Sequence, residues 1–221
     1  CVPEAFGGTG LGFIELCAIL EEQGRRASPV PLFSSLVLGG LPIAQFGSDA
    51  QKAQWLAALA AGTAKLSAAI ADIGMTAAAK QTVKATQEGN SWVLNGVKAA
   101  VQDGAVASAI LVPAVDSNGK TSVFLVDTKA TGVTVSAQQN FSGFTKANLQ
   151  LVNAKAELLG EAGQGDAIVN YIEQHADAAL TAMQVGVCDE ALKRTAAFTC
   201  ERKQFGAPIG SFQAVAMRAA D

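Results

Sequence analysis

Few of the residues from which common catalytic sites are assembled occur in this chain. It has one histidine, His175, in 221 residues, so a Ser-His-Asp triad or a histidine-rich metal site would have to run through that residue alone. Its four cysteines, Cys1, Cys17, Cys188 and Cys200, include no CxxC pair, and the chain is too long for a disulfide scaffold. They read as reduced thiols, which favours a cytoplasmic setting over a secreted one. There is no GxGxxG, P-loop, HExxH or GxSxG motif. Lys+Arg 16 against Asp+Glu 19 gives a net charge of −3, without the basic face that a nucleic-acid partner needs. The N-terminus has no basic flank before an apolar run, so no signal peptide is expected. The chain opens on Cys1 rather than methionine, as expected of a fragment of a longer protein.

What is present is half hydrophobic, only 6% aromatic and about a fifth alanine, a composition suited to packed helices and unlike a disordered chain. Ala27 to Ser48 carries no charge and is long enough to span a bilayer. Pro29, Pro31 and Pro42, with Ser34, Ser35 and Gln45 and no aromatic belt or basic flank, favour a helix buried among other helices.

Periodicity divides the chain into helices, sheet and helices, giving an α+β multidomain expectation with boundaries at 1–63, 64–160 and 161–221. Leu11, Ile14, Cys17 and Ala18 keep helical spacing, Thr9 is a candidate N-cap, and Glu21 precedes Arg25 by one turn. A second helix is expected from about Leu32 to Phe46, and Ser48 to Gln51 has capping-box spacing. From Ala64 to Gly160, turn pairs alternate with short branched runs such as Ala109–Val115 and Ser122–Val126, predicting an antiparallel sheet or small barrel. Asn95-Gly96 is the strongest hairpin signal. A long helix is expected from Gln164 to Cys200, then a turn, then a last helix from Phe212. The helix acids Glu173, Asp177, Asp189 and Glu190 read as solvated, and His175 as a satisfied core or edge residue.

The corner from Glu201 to Gln213 carries more chemistry. It presents Arg202, Lys203, Gln204 and Gln213 around Gly206-Ala207-Pro208. A guanidinium fork matches phosphate oxygens, although a positive helix C-terminus followed by a stop signal is the plainer reading.

RKQFGAPIGSFQ resembles the R-x-x-F-G-x-P-I-x-x-x-Q signature of acyl-CoA dehydrogenases. Pro3-Glu4-Ala5-Phe6-Gly7-Gly8-Thr9-Gly10-Leu11-Gly12 is similar to that family's glycine-rich loop, and Glu21-Glu22-Gln23-Gly24-Arg25 to its E-E-x-G-R. Gly47 to Leu56, Trp92 to Lys98 and Leu159 to Gly165 match further motifs in the family's order. The resemblance implies N-terminal helices, a central β-domain and a truncated C-terminal bundle. It also implies FAD-dependent α,β-desaturation of an acyl-CoA thioester, in which a glutamate takes the α-proton and flavin the β-hydride.

The departures shape the expectation. The family's T-E-P-x-x-G-S-D falls on Ala71-Asp72-Ile73-Gly74-Met75-Thr76, and its W-I-T-N-G on Ala100-Val101-Gln102-Asp103-Gly104. The substrate-facing Asp-Arg pair falls near Gln174-His175. A helix glutamate used by some members falls near Ala176, and the commoner glutamate position lies beyond Asp221, so no catalytic residue is expected in this span. Thr76 and His175 remain weak substrate candidates, and Gln102 a weak cofactor candidate. Arg202, Gln204, Phe205, Phe212 and Gln213 match the segment that reaches a neighbouring subunit's FAD. The resemblance thus implies a supporting subunit in a homo- or hetero-tetramer with a catalytic paralogue, acting on acyl-CoA. The alternatives are a divergent active homo-oligomer and a flavin-free scaffold.

Overall fold

The computed structural model describes residues 1–70, 82–89, 91–141 and 145–220. Helix α1 (Phe13–Arg25) turns Leu16, Leu20, Gln23 and Gly24 inward, one face of a 3.6-residue period. Its N-cap is Gly12, with no side-chain bond, so Thr9 is not the cap; left-handed Gly10 stands between it and the helix. Arg25 pairs with Glu21 at 2.7 Å, as its spacing predicts, and with Glu22 at 2.8 Å.

The uncharged stretch folds as a π-wound run, Phe33–Gly40, leading into α2 (Leu41–Phe46), and buries Ser34, Ser35, Val37, Leu38 and Ile43. Among the described residues, no helix is long and apolar enough to cross a membrane. Ser48 caps α3 (Asp49–Gln51): its hydroxyl accepts from the Gln51 N–H, and Gln51 Oε1 accepts from the Ser48 N–H. The helix runs on through Lys52–Leu56 into α4 (Ala57–Ala60). Gln51 Nε2 also donates to the Leu158 carbonyl at 3.0 Å and to the Glu157 carboxylate at 3.2 Å, docking the helix on the sheet. Gln51→Ala should therefore lower unfolding free energy by about 1–3 kcal/mol. Urea melts check this, and a loss within about 0.5 kcal/mol, the level of a neutral surface change, would contradict it.

Strands β2 (Lys84–Glu88), β3 (Ser91–Gln102), β7 (Lys146–Leu159), β5 (Thr121–Asp127) and β4 (Ala109–Val115) pair in a closed cycle, β4 meeting β2 through Lys84 and Val115. Strand β1 (Leu66–Ala68) extends the sheet along β4, and β6 (Val133–Gln138) along β7. The pairings of β4 with β1 and β2 are parallel and the others antiparallel. Strands β4 and β5 are buried at nearly every position because both faces are covered. Ile110, Val112, Phe124 and Val126 fill the barrel, while Leu111, Val123 and Leu125 pack on the helices.

Asn95-Gly96 is not a hairpin. It lies inside β3, at a bulge where Leu94 pairs with Ala154 but Gly96 with Leu151. Asn95 Oδ1 accepts from the N–H of left-handed Asn153, and Gly96, at φ +146°, lies so close to Val83 that a side chain would clash. The bulge thus uses the local chemistry that otherwise signals a turn. The hairpin closes between Glu88 and Ser91.

The long helix α5 (Gly165–Glu201) buries Ile168, Ile172, Ala176, Ala179 and Gly186, at steps of four, four, three and seven. It crosses α1 at two glycines. A methyl on Gly186 would fall on the Glu21 carbonyl oxygen, and one on Gly24 on that of Met183. Arg25 also reaches Asp189 of α5 across this crossing.

A candidate cofactor-bridging arm

Helix α5 ends where Arg202 takes up extended backbone, its N–H still bonded to the Phe198 carbonyl. Strands β8 (Lys203–Gln204) and β9 (Ala207–Pro208) then form a two-residue hairpin, with Lys203 opposite Pro208 and Gln204 opposite Ala207. Its turn residues, Phe205 at φ +53° and Gly206 at φ +79°, are both left-handed. Glycine adopts this freely, but a phenylalanine there costs about 1 kcal/mol. The Ile209 N–H closes the corner onto the Arg202 carbonyl at 2.8 Å, and a short 3-10 turn (Ile209–Ser211) leads into α6 (Gln213–Ala220).

The result is an arm that exposes its polar and aromatic side chains while Ala207, Pro208 and Ile209 are half-buried. Phe205 is 95% exposed and meets Phe212 edge-on, at 6.2 Å between ring centres. Arg202, Lys203, Gln204 and Gln213 are exposed. Neither Arg202 nor Lys203 forms an ion pair among the described residues. All five expected arm residues thus stand around one corner and are exposed, Phe212 the less so of the two rings at 38%. Grooves of about 400 to 790 Å³ on the protein surface are lined by other residues. One of about 790 Å³ runs along α5 beside Leu180, Val185, Cys188 and Leu192.

Gln102 sits elsewhere, at the end of β3, half-buried. Its amide lies 3.4 Å from Asp103 Oδ2, and its carbonyl accepts from the buried Ser67 hydroxyl. Ala100 is exposed and left-handed, at φ +54°. Thr76 and the rest of the stretch 71–81 lie outside the described residues. His175 is half-buried on α5, with Nδ1 at 2.8 Å from the Tyr171 carbonyl and its ring between Phe13 and Tyr171. Ala176 is buried in the helical core. Asp103, to which the sequence pattern assigns no role within Ala100–Gly104, is buried and bonded to Ser34 and Thr145.

Burial pushes the Tyr171 phenol above its ordinary range. This is the chain's one tyrosine, so the absorbance of its phenolate isolates the titration. The folded protein should ionise at higher pH than the unfolded one. The associated stability is present below the unfolded-state pKa and is lost as pH rises through the folded-state pKa. Coincident titrations of folded and unfolded protein would contradict this.

Residues 1–63, 67–155 and 163–221 match, in order, the N-terminal, middle and C-terminal domains of acyl-CoA dehydrogenase. The chain belongs to the acyl-CoA dehydrogenase family. It is 34% identical over 220 residues to acyl-CoA dehydrogenase FadE27 of Mycobacterium tuberculosis, covering 99% of this chain and 57% of that protein. The ChsE4-ChsE5 complex from Mycobacterium tuberculosis superposes with a TM-score of 0.90 at 33% identity, over 100% of this chain and 59% of that one. A Tcur3481-Tcur3483 steroid ACAD variant superposes at 0.89 with 38% identity, over 99% and 58%. The chain thus spans about three-fifths of the length of these relatives.

An acyl-CoA dehydrogenase complexed with FAD, from Bacillus anthracis, is among the structures similar to this chain, at 29% identity and a TM-score of 0.91 over 99% of this chain and 40% of that one, so FAD is the group to fit. For a phosphate the donors fit: an exposed guanidinium and ammonium with no carboxylate partner among the described residues, on the same corner as Phe205. At the corner from Ala100 to Gly104, a methyl and an amide stand where the family pattern has an aromatic residue and a hydroxyl.

Proposed function

We propose that this chain is a subunit of an FAD-dependent acyl-CoA dehydrogenase, in which it completes the cofactor site of a catalytic partner chain. Residues 1–63, 64–160 and 161–221 would be the end of the helical domain, the β-domain and the start of the C-terminal bundle. One observation supports this reading: the arm from Arg202 to Gln213 leaves Arg202, Lys203 and Phe205 exposed, with no carboxylate paired to the two cations among the described residues.

Arg202 would meet the diphosphate of the partner's FAD by two parallel N–H···O bonds. Phe205 and Phe212 would lie against its adenosine end, with Gln204 and Gln213 as amide partners. FAD, when bound, supplies hydride acceptance from the acyl β-carbon. This chain contributes cofactor binding to that reaction. It brings no carboxylate to the helix position where some members carry their base, because Ala176 stands there, buried. Heteromeric assembly of the kind seen in the ChsE4-ChsE5 complex supports the pairing. The substrate is an acyl-CoA thioester, and a cytoplasmic location is consistent with the four free cysteines.

A divergent, active homo-oligomer is the second reading. It is favoured by the ring-side corner, whose backbone is tightly held at Ser67 and Thr145 although its side chains differ from the family pattern. Purification separates the two. The full-length chain should be colourless alone and yellow when co-purified with its paralogue. Stoichiometric FAD and turnover from the chain alone would overturn the supporting role in favour of the homo-oligomer.

A further inference from the structure

Hydroxyl groups from three parts of the molecule converge on the end of β3. Asp103 is 8% exposed. One carboxylate oxygen accepts from Ser34 Oγ at 2.7 Å and the other from Thr145 Oγ1 at 2.7 Å. The Asp103 N–H donates to the Thr145 carbonyl, also at 2.7 Å. One residue earlier, the Gln102 carbonyl accepts from Ser67 of β1. Ser34 belongs to the helical layer, Ser67 to the first strand, and Thr145 to the entry into β7.

No cation pairs with Asp103 among the described residues. A buried carboxylate satisfied by neutral donors is costly to keep. The backbone beside it is costly too. Ala100 at φ +54° and Asp103 at φ +52° are both left-handed without being glycine. Ala100 lies in a second β3 bulge, where Lys98 pairs with Leu149 but Val101 with Ala147, and Asp103 follows two residues past it. Each left-handed residue costs about 1 kcal/mol and persists only where its surroundings over-determine it.

We propose that Asp103 is a latch, coupling the helical layer to the barrel and holding the Ala100–Gly104 corner in its strained shape. Ser34 is the helical half of the latch and Thr145 the barrel half. With the carboxylate gone, the helical layer loses its side-chain hold on this corner, and the left-handed pair loses the contacts that impose it. The latch is a property of this chain alone and is independent of the arm.

Hydrogen exchange of the full-length chain tests it. Ser34→Ala, Thr145→Val and Asp103→Ala should each speed exchange of the amides from Asp103 to Val106 by about tenfold or more, with the protected centre of α5 unchanged. Ser34→Ala added to Asp103→Ala should speed exchange no further, since the Ser34–Asp103 bond is already lost in Asp103→Ala. Unchanged exchange at the corner, or an equal increase at the corner and in α5, would overturn the proposal. If Asp103→Ala does not fold, Ser34→Ala, which removes only a hydroxyl, decides on the same criteria. Arg202→Ala should leave corner exchange at the wild-type rate, so that failure of the arm and failure of the latch read out separately.

Discussion

Arg202→Ala should reduce FAD retention in the assembled enzyme by about 10- to 100-fold, the loss of a charge-assisted bidentate bond to phosphate worth about 1.5–3 kcal/mol. The stability of the chain itself should hardly change. The side chain is exposed, makes no ion pair among the described residues, and leaves the backbone bonds of the corner to the Phe198 carbonyl and the Ile209 N–H. Arg202→Lys should recover part of the loss, because an ammonium keeps the charge without the planar fork. Flavin released on gel filtration, together with a thermal melt of each variant, checks both halves. Retention unchanged in Arg202→Ala would favour a flavin-free scaffold, which gains nothing from a phosphate-binding group at this corner.

Gly186→Ala should be the most damaging small substitution in the helical layer. Alanine is the better helix former, and at an exposed site the change would stabilise α5 by nearly 1 kcal/mol. Here the new methyl falls on the Glu21 carbonyl oxygen, and main chain cannot rotate out of the way as a side chain can. The helices must separate, at a cost of about 1–3 kcal/mol, and the Arg25–Asp189 bridge at the same crossing is strained with them. Chemical denaturation gives the number. A neutral or stabilising result would mean that the α1–α5 crossing is looser than described. Gly62, where an added methyl meets nothing within 4 Å, is a poor control because its φ of +71° strains any side chain. Ala191→Ser, at an exposed position of the same helix, is a cleaner one.

The helices were legible because their faces repeat. Leu16 and Leu20 of α1, and Ile168, Ile172 and Ala179 of α5, follow the period of a buried stripe, and Ser48 and Gln51 announce their cap. Strands β4 and β5 were legible as apolar runs between turn residues. Strand β2 was not, since Ala85 is its one buried residue and the other four are exposed. Asn95-Gly96 misled because hairpins and bulges draw on the same residues. The arm was legible through its family pattern, whereas its outward reach needed coordinates. The Asp103 cluster was out of reach, because its partners lie 69 and 42 residues away in sequence and none carries a motif.

In the proposed assembly the arm serves another subunit. A photoreactive benzophenone amino acid in place of Phe205, incorporated in the full-length chain and irradiated in the complex purified with its paralogue, measures this directly. The predicted result is a crosslink joining two subunits, mapped to the cofactor side of the neighbouring β-domain and competed by added FAD. A crosslink confined to the chain's own residues would contradict it.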